Sequence, residues 1–352
     1  MKKAILAWLK WFSRFLLVLL SQVSGRRRLL GLVAEAVEGE SDFVTYHCRP
    51  KLAVVVGTRN DVVRKDANRA GQQLAIVMQG PIAHKDNFTL ETLKIYQQHF
   101  SDSKIILSTW EDEDLVALRE FEDLGITLIL NQKPTYAGVS NINLQIASAR
   151  SGVRKAQVLG VKYALKTRTD QRMYAPNLAD FLYNLTELFP VQGKWPRQKK
   201  RIVGCSHNTF KYRMYGLSDM LIYGNIDDML LYWDIELDER VLNEQQRQAT
   251  NSLRSYARWR VCEIYLATEF LTKVGRELKW SLRDSWSAFA EHFCVVDKEQ
   301  LDLFWPKYGR SEYRWLRYGE DARTQELAFR DWLDLYAGLE GREIPEHLLD
   351  DI

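Results

Sequence analysis

Lys166-Thr167-Arg168-Thr169-Asp170-Gln171-Arg172 gathers three cations and a carboxylate into seven consecutive positions. The segment 163–174 opens apolar and closes polar, which reads as a strand running into a functional end. Side chains alternate along a strand, so Lys166, Arg168 and Asp170 share one face if the strand persists to Asp170, with Thr167 and Thr169 on the other. A cation pair beside a carboxylate suits a pyrophosphate with an associated Mg2+ or Mn2+. The carboxylate is an oxygen ligand for the hard metal, and the guanidinium grips phosphate with two parallel bonds. Asp170 is the metal ligand in that reading. A structural ion-pair cluster uses the same residue types, and the motif by itself does not separate the two.

The elements that must position these groups begin at Leu74. LAIVMQGPI (74–82) is an apolar run ending in Gly80-Pro81, a strand stopping at a turn. Apolar periodicity then predicts a helix over 87–100, a strand over 104–111 and a helix over 112–125 that closes on Gly125. A strand over 126–131 follows, then a helix over 141–160 bent near Gly152, then the strand over 163–174. Alternation of this kind means an α/β fold with a mostly parallel sheet flanked by helices and joined by right-handed crossovers. Ligands of such sheets sit at the carboxyl ends of the strands. The polar groups falling there are Gln79, Gly80 and Pro81; Ser108, Thr109, Trp110 and Glu111; Asn131; and Lys166 to Asp170. Beyond Asp170 the pattern gives a helix over 178–189, a strand over 201–210, a strand–turn–helix over 218–234 and a helix-rich stretch over 240–280. Residues 195–201 read as a basic surface turn.

Composition excludes several classes. With 46% hydrophobic and 27% charged residues the chain is neither collagen-like nor disordered. A net charge of +3 gives no bulk electrostatic case for nucleic acid. The four cysteines lie far apart with no C-x-x-C pair, and read as reduced thiols. No Walker loop, G-x-G-x-x-G, G-x-S-x-G or H-E-x-x-H is present.

Residues 1–25 suggest a membrane element. Lys10, Ser13 and Arg14 interrupt any apolar run long before the ~20 residues a spanning helix needs. On a helical wheel Lys3, Lys10 and Arg14 share a stripe opposite Trp8, Phe12, Leu16 and Leu19, the pattern of a helix lying in the bilayer interface. Arg26-Arg27-Arg28 would favour an anionic cytoplasmic leaflet. The expected organisation is an amphipathic helix over 1–30, a linker over 31–73 with a short strand at 52–56, a catalytic-type domain over 74–320 and a helical tail over 321–352.

Several ordered motifs together carry a resemblance: Gln79 to Ile82, Ser108 to Glu111, the helix motif of Asn141, Asn143, Gln145, Ser148, Gly152 and Ala156, then Lys166 to Arg172. The later SDMLIYG and FWPKY segments add to it. Over residues 74–310 the chain resembles the WavE-type lipopolysaccharide-synthesis family, which is similar to nucleotide-sugar-dependent glycosyltransferases of the GT-A fold. The resemblance implies a donor held by Gln79, Gly80, Pro81, Thr109, Trp110, Glu111, Asn141, Asn143, Lys166 and Arg168. It also implies a lipid-linked or core oligosaccharide acceptor, and work on the cytoplasmic face of the inner membrane in a bacterium. GT-A enzymes commonly hold metal with an Asp-x-Asp pair. Here the triplet is Arg168-Thr169-Asp170, so Lys166 or Arg168 would neutralise the leaving diphosphate directly.

An inverting transfer also needs a base for the acceptor hydroxyl. Asp219, heading SDMLIYG, and Glu263 are the candidates, each with a plain turn or helix-surface role as its alternative. His207 and His292 are weaker, more in keeping with polar loop residues. Two rival functions are a non-catalytic sugar- or phosphate-binding scaffold and a phosphoryl-group transferase acting on a glycan.

Overall fold

The first strand, β1 (Leu74–Gln79), is buried at every position. A strand covered on both faces belongs at the centre of a parallel sheet, and the computed structural model places it there. The structure describes residues 73–241, 253–305 and 324–338, together with Phe12, Phe15, Leu16, Val18 and Leu19.

After β1 come α1 (Phe88–His99), β2 (Lys104–Trp110), α2 (Leu115–Asp123), β3 (Thr127–Asn131), α3 (Ile142–Val158) and β4 (Tyr163–Arg168). Then follow β5 (Arg172–Met173), α4 (Leu178–Leu188), β6 (Ile202–Cys205), β7 (Ile222–Asn225), α5 (Ile226–Trp233), α6 (Leu253–Trp259), α7 (Cys262–Lys273), α8 (Leu282–His292), β8 (Phe293–Val296), β9 (Leu303–Phe304) and α9 (Phe329–Tyr336). Seven strands form one sheet in the order β3-β2-β1-β4-β7-β6-β8. Within it β1 to β4 run parallel and β7 runs against both its neighbours. The expected mostly parallel, Rossmann-like sheet with flanking helices is the observed one.

Two expectations need correction. The strand over 163–174 ends at Arg168 and resumes as the short β5, which pairs with β9 in a separate ribbon. The cause is local. Thr169 donates its hydroxyl to the Pro81 carbonyl at 2.6 Å, while its own carbonyl accepts from Thr89 at 3.0 Å, and these bonds pull the chain into a turn. Helix α3, expected to bend near Gly152, runs unbroken through it. The glycine serves contact instead: a Cβ there would lie 2.2 Å from Val77 Cγ1 on β1.

The chain divides into two units. One takes in residues 1–62 and 308–311; its described residues Phe12, Phe15, Leu16, Val18 and Leu19 are helical and exposed. The rest of the amphipathic segment, most of the linker and the strand at 52–56 lie outside the described residues. No helix among the described residues is long and apolar enough to cross a membrane. The other unit, 63–307 and 312–352, holds the sheet and all that follows.

Candidate active site

From β1 the chain steps outward through β2 to β3, then crosses back to β4 on the other side of β1. The strand order therefore reverses between β1 and β4, where open α/β sheets bind ligands. Register fixes what meets at that edge. Gln79 pairs with Ser108 on β2 and with Arg168 on β4, so Gly80, Thr109 and Thr169 emerge at one level. Because β7 is antiparallel to β4, the residues preceding β7 arrive at the same end, with Lys166 paired to Ile222. Asp219 is carried there in this way. The β5–β9 ribbon delivers Trp305 beside Asp170, and the first turn of α7 supplies Cys262 and Glu263.

Arg168 is the hub. Its Nε and Nη2 donate to the two oxygens of Asp170, each at 2.8 Å, and its Nη1 lies 3.9 Å from Asp219 Oδ2. The Trp305 indole N–H donates to Asp170 Oδ2 at 3.2 Å, and its ring lies 5.7 Å from the guanidinium carbon. Burial works against the Arg168 charge, but the Asp170 and Asp219 carboxylates outweigh it and hold the group above its ordinary value.

Asp219 is buried, with its Oδ2 4.0 Å from the Cys262 thiol. Glu263 accepts from the Asn208 amide, and burial together with the neighbouring Asp219 charge raises its carboxyl above the usual range. Lys166 does not share the open face with Arg168. It is fully buried, its ammonium donating to the Asp219 carbonyl and lying 5.1 Å from the Trp233 ring centre. Burial pulls Lys166 down to about 8, partly opposed by Asp219. Its reach is toward the backbone that holds Asp219.

The remaining candidates divide by what they touch. Gly80 has φ +117°, and a Cβ there would come 3.1 Å from Thr169 Oγ1, so the turn needs glycine. Thr109 donates to Glu113 at 3.0 Å, and Glu113 also takes the Ile82 N–H at 2.9 Å. Trp110 is buried, whereas Glu111 is exposed at the rim. Gln79 accepts from Ser148 at 2.7 Å, inside the sheet–helix interface. Asn143 exchanges two hydrogen bonds with the Asp238 backbone, at 2.6 and 2.8 Å, and so ties the start of α3 to the segment after α5. Asn141 is exposed with left-handed φ. His207 is buried against Trp305 and faces Glu326 at 3.2 Å, and His292 is buried against Gln198. Sequence reasoning passed over Asn208, Cys262, Glu113 and Trp305 as single residues. Trp305 had a signal, standing inside the FWPKY segment. Asn208 had none beyond its small polar side chain, which tolerates the φ of +67° seen there.

A divalent cation fits this arrangement poorly. Both oxygens of Asp170 are engaged by one guanidinium, and among the described residues no group of three or more His, Cys, Asp or Glu side chains is arranged to hold a metal ion. Hard cations need several oxygen ligands together.

No curated protein matches the chain in sequence. Among solved structures it is similar to a cytidylyltransferase from Leptospira borgpetersenii, at 9% identity and TM-score 0.30, over 47% of this chain and 65% of that one. It is also similar to the 4-diphosphocytidyl-2C-methyl-D-erythritol synthase of Anaerococcus prevotii, at 11% identity and TM-score 0.35, over 77% of this chain and all of that one. The likeness to the first spans just under two thirds of its length. The model of the WavE lipopolysaccharide synthesis family matches residues 74–349, most of the chain and every strand of the sheet, and the protein belongs to that family.

Proposed function

We propose that the chain is a glycosyltransferase of GT-A-like architecture that moves a sugar from a nucleoside diphosphate to a surface-glycan acceptor. One observation carries the reading: Arg168 and Asp170 at the end of β4, Asp219 before β7 and Glu263 on α7, from three separate segments, come together beside the switch point between β1 and β4. In an inverting transfer the acceptor oxygen bonds to the anomeric carbon as the bond from that carbon to the diphosphate oxygen breaks. The electron pair leaves with the nucleoside diphosphate, and the acceptor proton passes to a carboxylate. Glu263 suits that last role, since a carboxyl held above its usual range is a better proton acceptor near neutral pH. Arg168 opposes the charge growing on the leaving diphosphate, which counts for rate only where it is stronger in the transition state. Asp170 fixes the guanidinium plane. The amphipathic start, residues 1–30, would hold the domain of residues 74–320 on the cytoplasmic face of the inner membrane, close to a lipid-linked acceptor.

The test is turnover of the full-length chain with a panel of nucleoside diphosphate sugars and a deacylated core oligosaccharide, reading both released nucleoside diphosphate and mass added to the glycan. Sugar mass on the glycan, retained in EDTA and lost in Glu263→Gln, supports the reading. Phosphate mass would instead show a phosphoryl transferase, and binding without turnover across the panel would show a scaffold.

A further inference from the structure

A second basic site lies between α6 and the start of α8, in a pocket of about 610 Å³. Arg254, Arg258, Arg260 and Arg283 line it with Trp280 and Ser281, and its described lining contains no acidic residue. Like charges held together repel, so four guanidiniums around one hollow need a reason. Two of the four have partners of their own: Arg254 is engaged, and the Arg260 guanidinium binds Glu269 and Thr268, each at 2.6 Å. Arg258 and Arg283 are exposed, and neither guanidinium makes a hydrogen bond or ion pair with a described residue.

Two of the lining residues hold left-handed backbone conformations. Arg260 has φ +47° and Trp280 φ +51°, conformations that cost bulky residues about 1–3 kcal/mol and gather at binding sites. Trp280 is held by Tyr215, which accepts its backbone N–H at 3.1 Å and packs edge-on against its ring at 5.4 Å. Trp280 as a whole is 41% exposed.

We infer that this pocket binds a sugar carrying more than one phosphate, with the sugar's apolar face on Trp280 and its phosphates on Arg258 and Arg283. The volume falls in the range of small-molecule sites, about 300–1,000 Å³. Hydrogen-bonding chemistry selects the ligand. Guanidiniums only donate, and the Ser281 hydroxyl is occupied as the cap accepting the Asp284 N–H. A lining of donors fits phosphate, which only accepts when ionised. It suits a nucleobase edge badly, because a base presents N–H groups and the described lining offers them no side-chain acceptor other than the already engaged Ser281 hydroxyl. This inference stands apart from the proposed transfer reaction, since it rests on none of the strand-end residues and is read by binding alone.

Glucose 1,6-bisphosphate is the probe, titrated calorimetrically into the full chain beside glucose and inorganic phosphate. The bisphosphate should bind at least about tenfold more tightly than either. The joint variant Arg258→Ala with Arg283→Ala should weaken it at least about tenfold, and Trp280→Leu should bring its affinity down toward that of inorganic phosphate. All three side chains are exposed, so melting temperature should hold; if the joint variant does not fold, Arg283→Gln alone should still weaken binding. Raising NaCl to about 0.5 M, where screening acts over on the order of 4 Å, should weaken binding steeply. Unchanged affinity in the folded arginine variants overturns the inference. So does a loss confined to Arg168→Ala, which would put the ligand at the strand ends, and so does a bisphosphate no tighter than inorganic phosphate.

Discussion

Lys166→Met tests how the active-site scaffold is held. The lysine is fully buried, and burial lowers it from 10.5 to about 8. That gap, at about 1.36 kcal/mol per pH unit, amounts to about 3 kcal/mol of charge burial. Below pH 8 both folded and unfolded chains carry the ammonium, and the full cost opposes folding. Between about 8 and 10.5 the folded chain has released the proton while the unfolded chain still binds it, so stability rises with pH across that window. Methionine has similar length and no charge, and removes both the cost and its pH dependence. It also orphans the Asp219 carbonyl, which Lys166 now satisfies, at about 1–3 kcal/mol. The variant should therefore match or exceed the wild type at pH 7 and fall below it by about 1–3 kcal/mol near pH 10.5, so the two stability curves cross. Denaturant unfolding at each pH from 7 to 10.5, followed by tryptophan fluorescence, measures both. Burial holds the interior tyrosines and cysteines well above their ordinary values, so at the upper end they ionise only in the unfolded chain; that effect is common to both chains and cancels in the difference. Groups facing Lys166, namely Asp219, Arg168, Cys262 and Asp170, stay in place in the variant. Parallel curves, with no change in their separation between pH 7 and 10.5, would refute the reasoning.

Asp170→Asn keeps the shape and removes the charge that fixes Arg168; turnover should fall at least about a hundredfold, some 2.7 kcal/mol of barrier, with little change in melting temperature. Arg168→Lys keeps a cation without the fork and should retain more turnover than Arg168→Ala in the same assay. Glu263→Gln should abolish the acidic limb of the pH–rate profile, because the raised carboxyl that must lose its proton before accepting another is gone. Gly152→Ala forces a methyl to within 2.2 Å of Val77 Cγ1 and should cost about 1–3 kcal/mol by denaturant unfolding, while a Gly125→Ala control tests only the turn conformation.

What could be read without coordinates was set by periodicity and by strand ends. The apolar runs at 74–79, 104–110, 127–131 and 163–168 are short, bounded by turn residues and separated by helical spacing, and their parallel pairing follows from the crossovers. Hence the polar groups at their carboxyl ends were legible as neighbours. Lys166 was not, because alternation says which residues share a face but not which face is covered. Trp233, on α5, lies under that lysine, and nothing in KTRTDQR reports a helix more than sixty residues away. The same limit hid the roles of Gln79 and Asn143. Both are polar at motif positions, yet their partners Ser148 and Asp238 come from other elements. The break after Arg168 depends on Thr169 reaching Pro81 and Thr89, contacts that exist only once α1 and the first turn are in place.

Under the proposed transfer, the pairing of Arg168 also decides from which side a diphosphate can approach. A guanidinium offers five N–H groups in a fixed plane. Asp170 occupies the Nε and Nη2 edge, so that edge is closed to a second oxyanion unless the carboxylate leaves. The Nη1 side makes no hydrogen bond to a described residue; the nearest carboxylate oxygen, on Asp219, stands at 3.9 Å, beyond bonding range. A phosphate arriving there would bond Arg168 without displacing Asp170, and would sit beside Asp219 and the α7 turn that carries Glu263. Two carboxylates near an incoming diphosphate oppose its binding, and the raised Glu263 is the group that eases this by holding its proton longer. In the proposed transfer that one residue would lower the charge met by the donor as it binds and then, once deprotonated, take the proton of the acceptor. The arrangement needs β7 antiparallel to β4, since a parallel strand would deliver Asp219 to the opposite edge of the sheet.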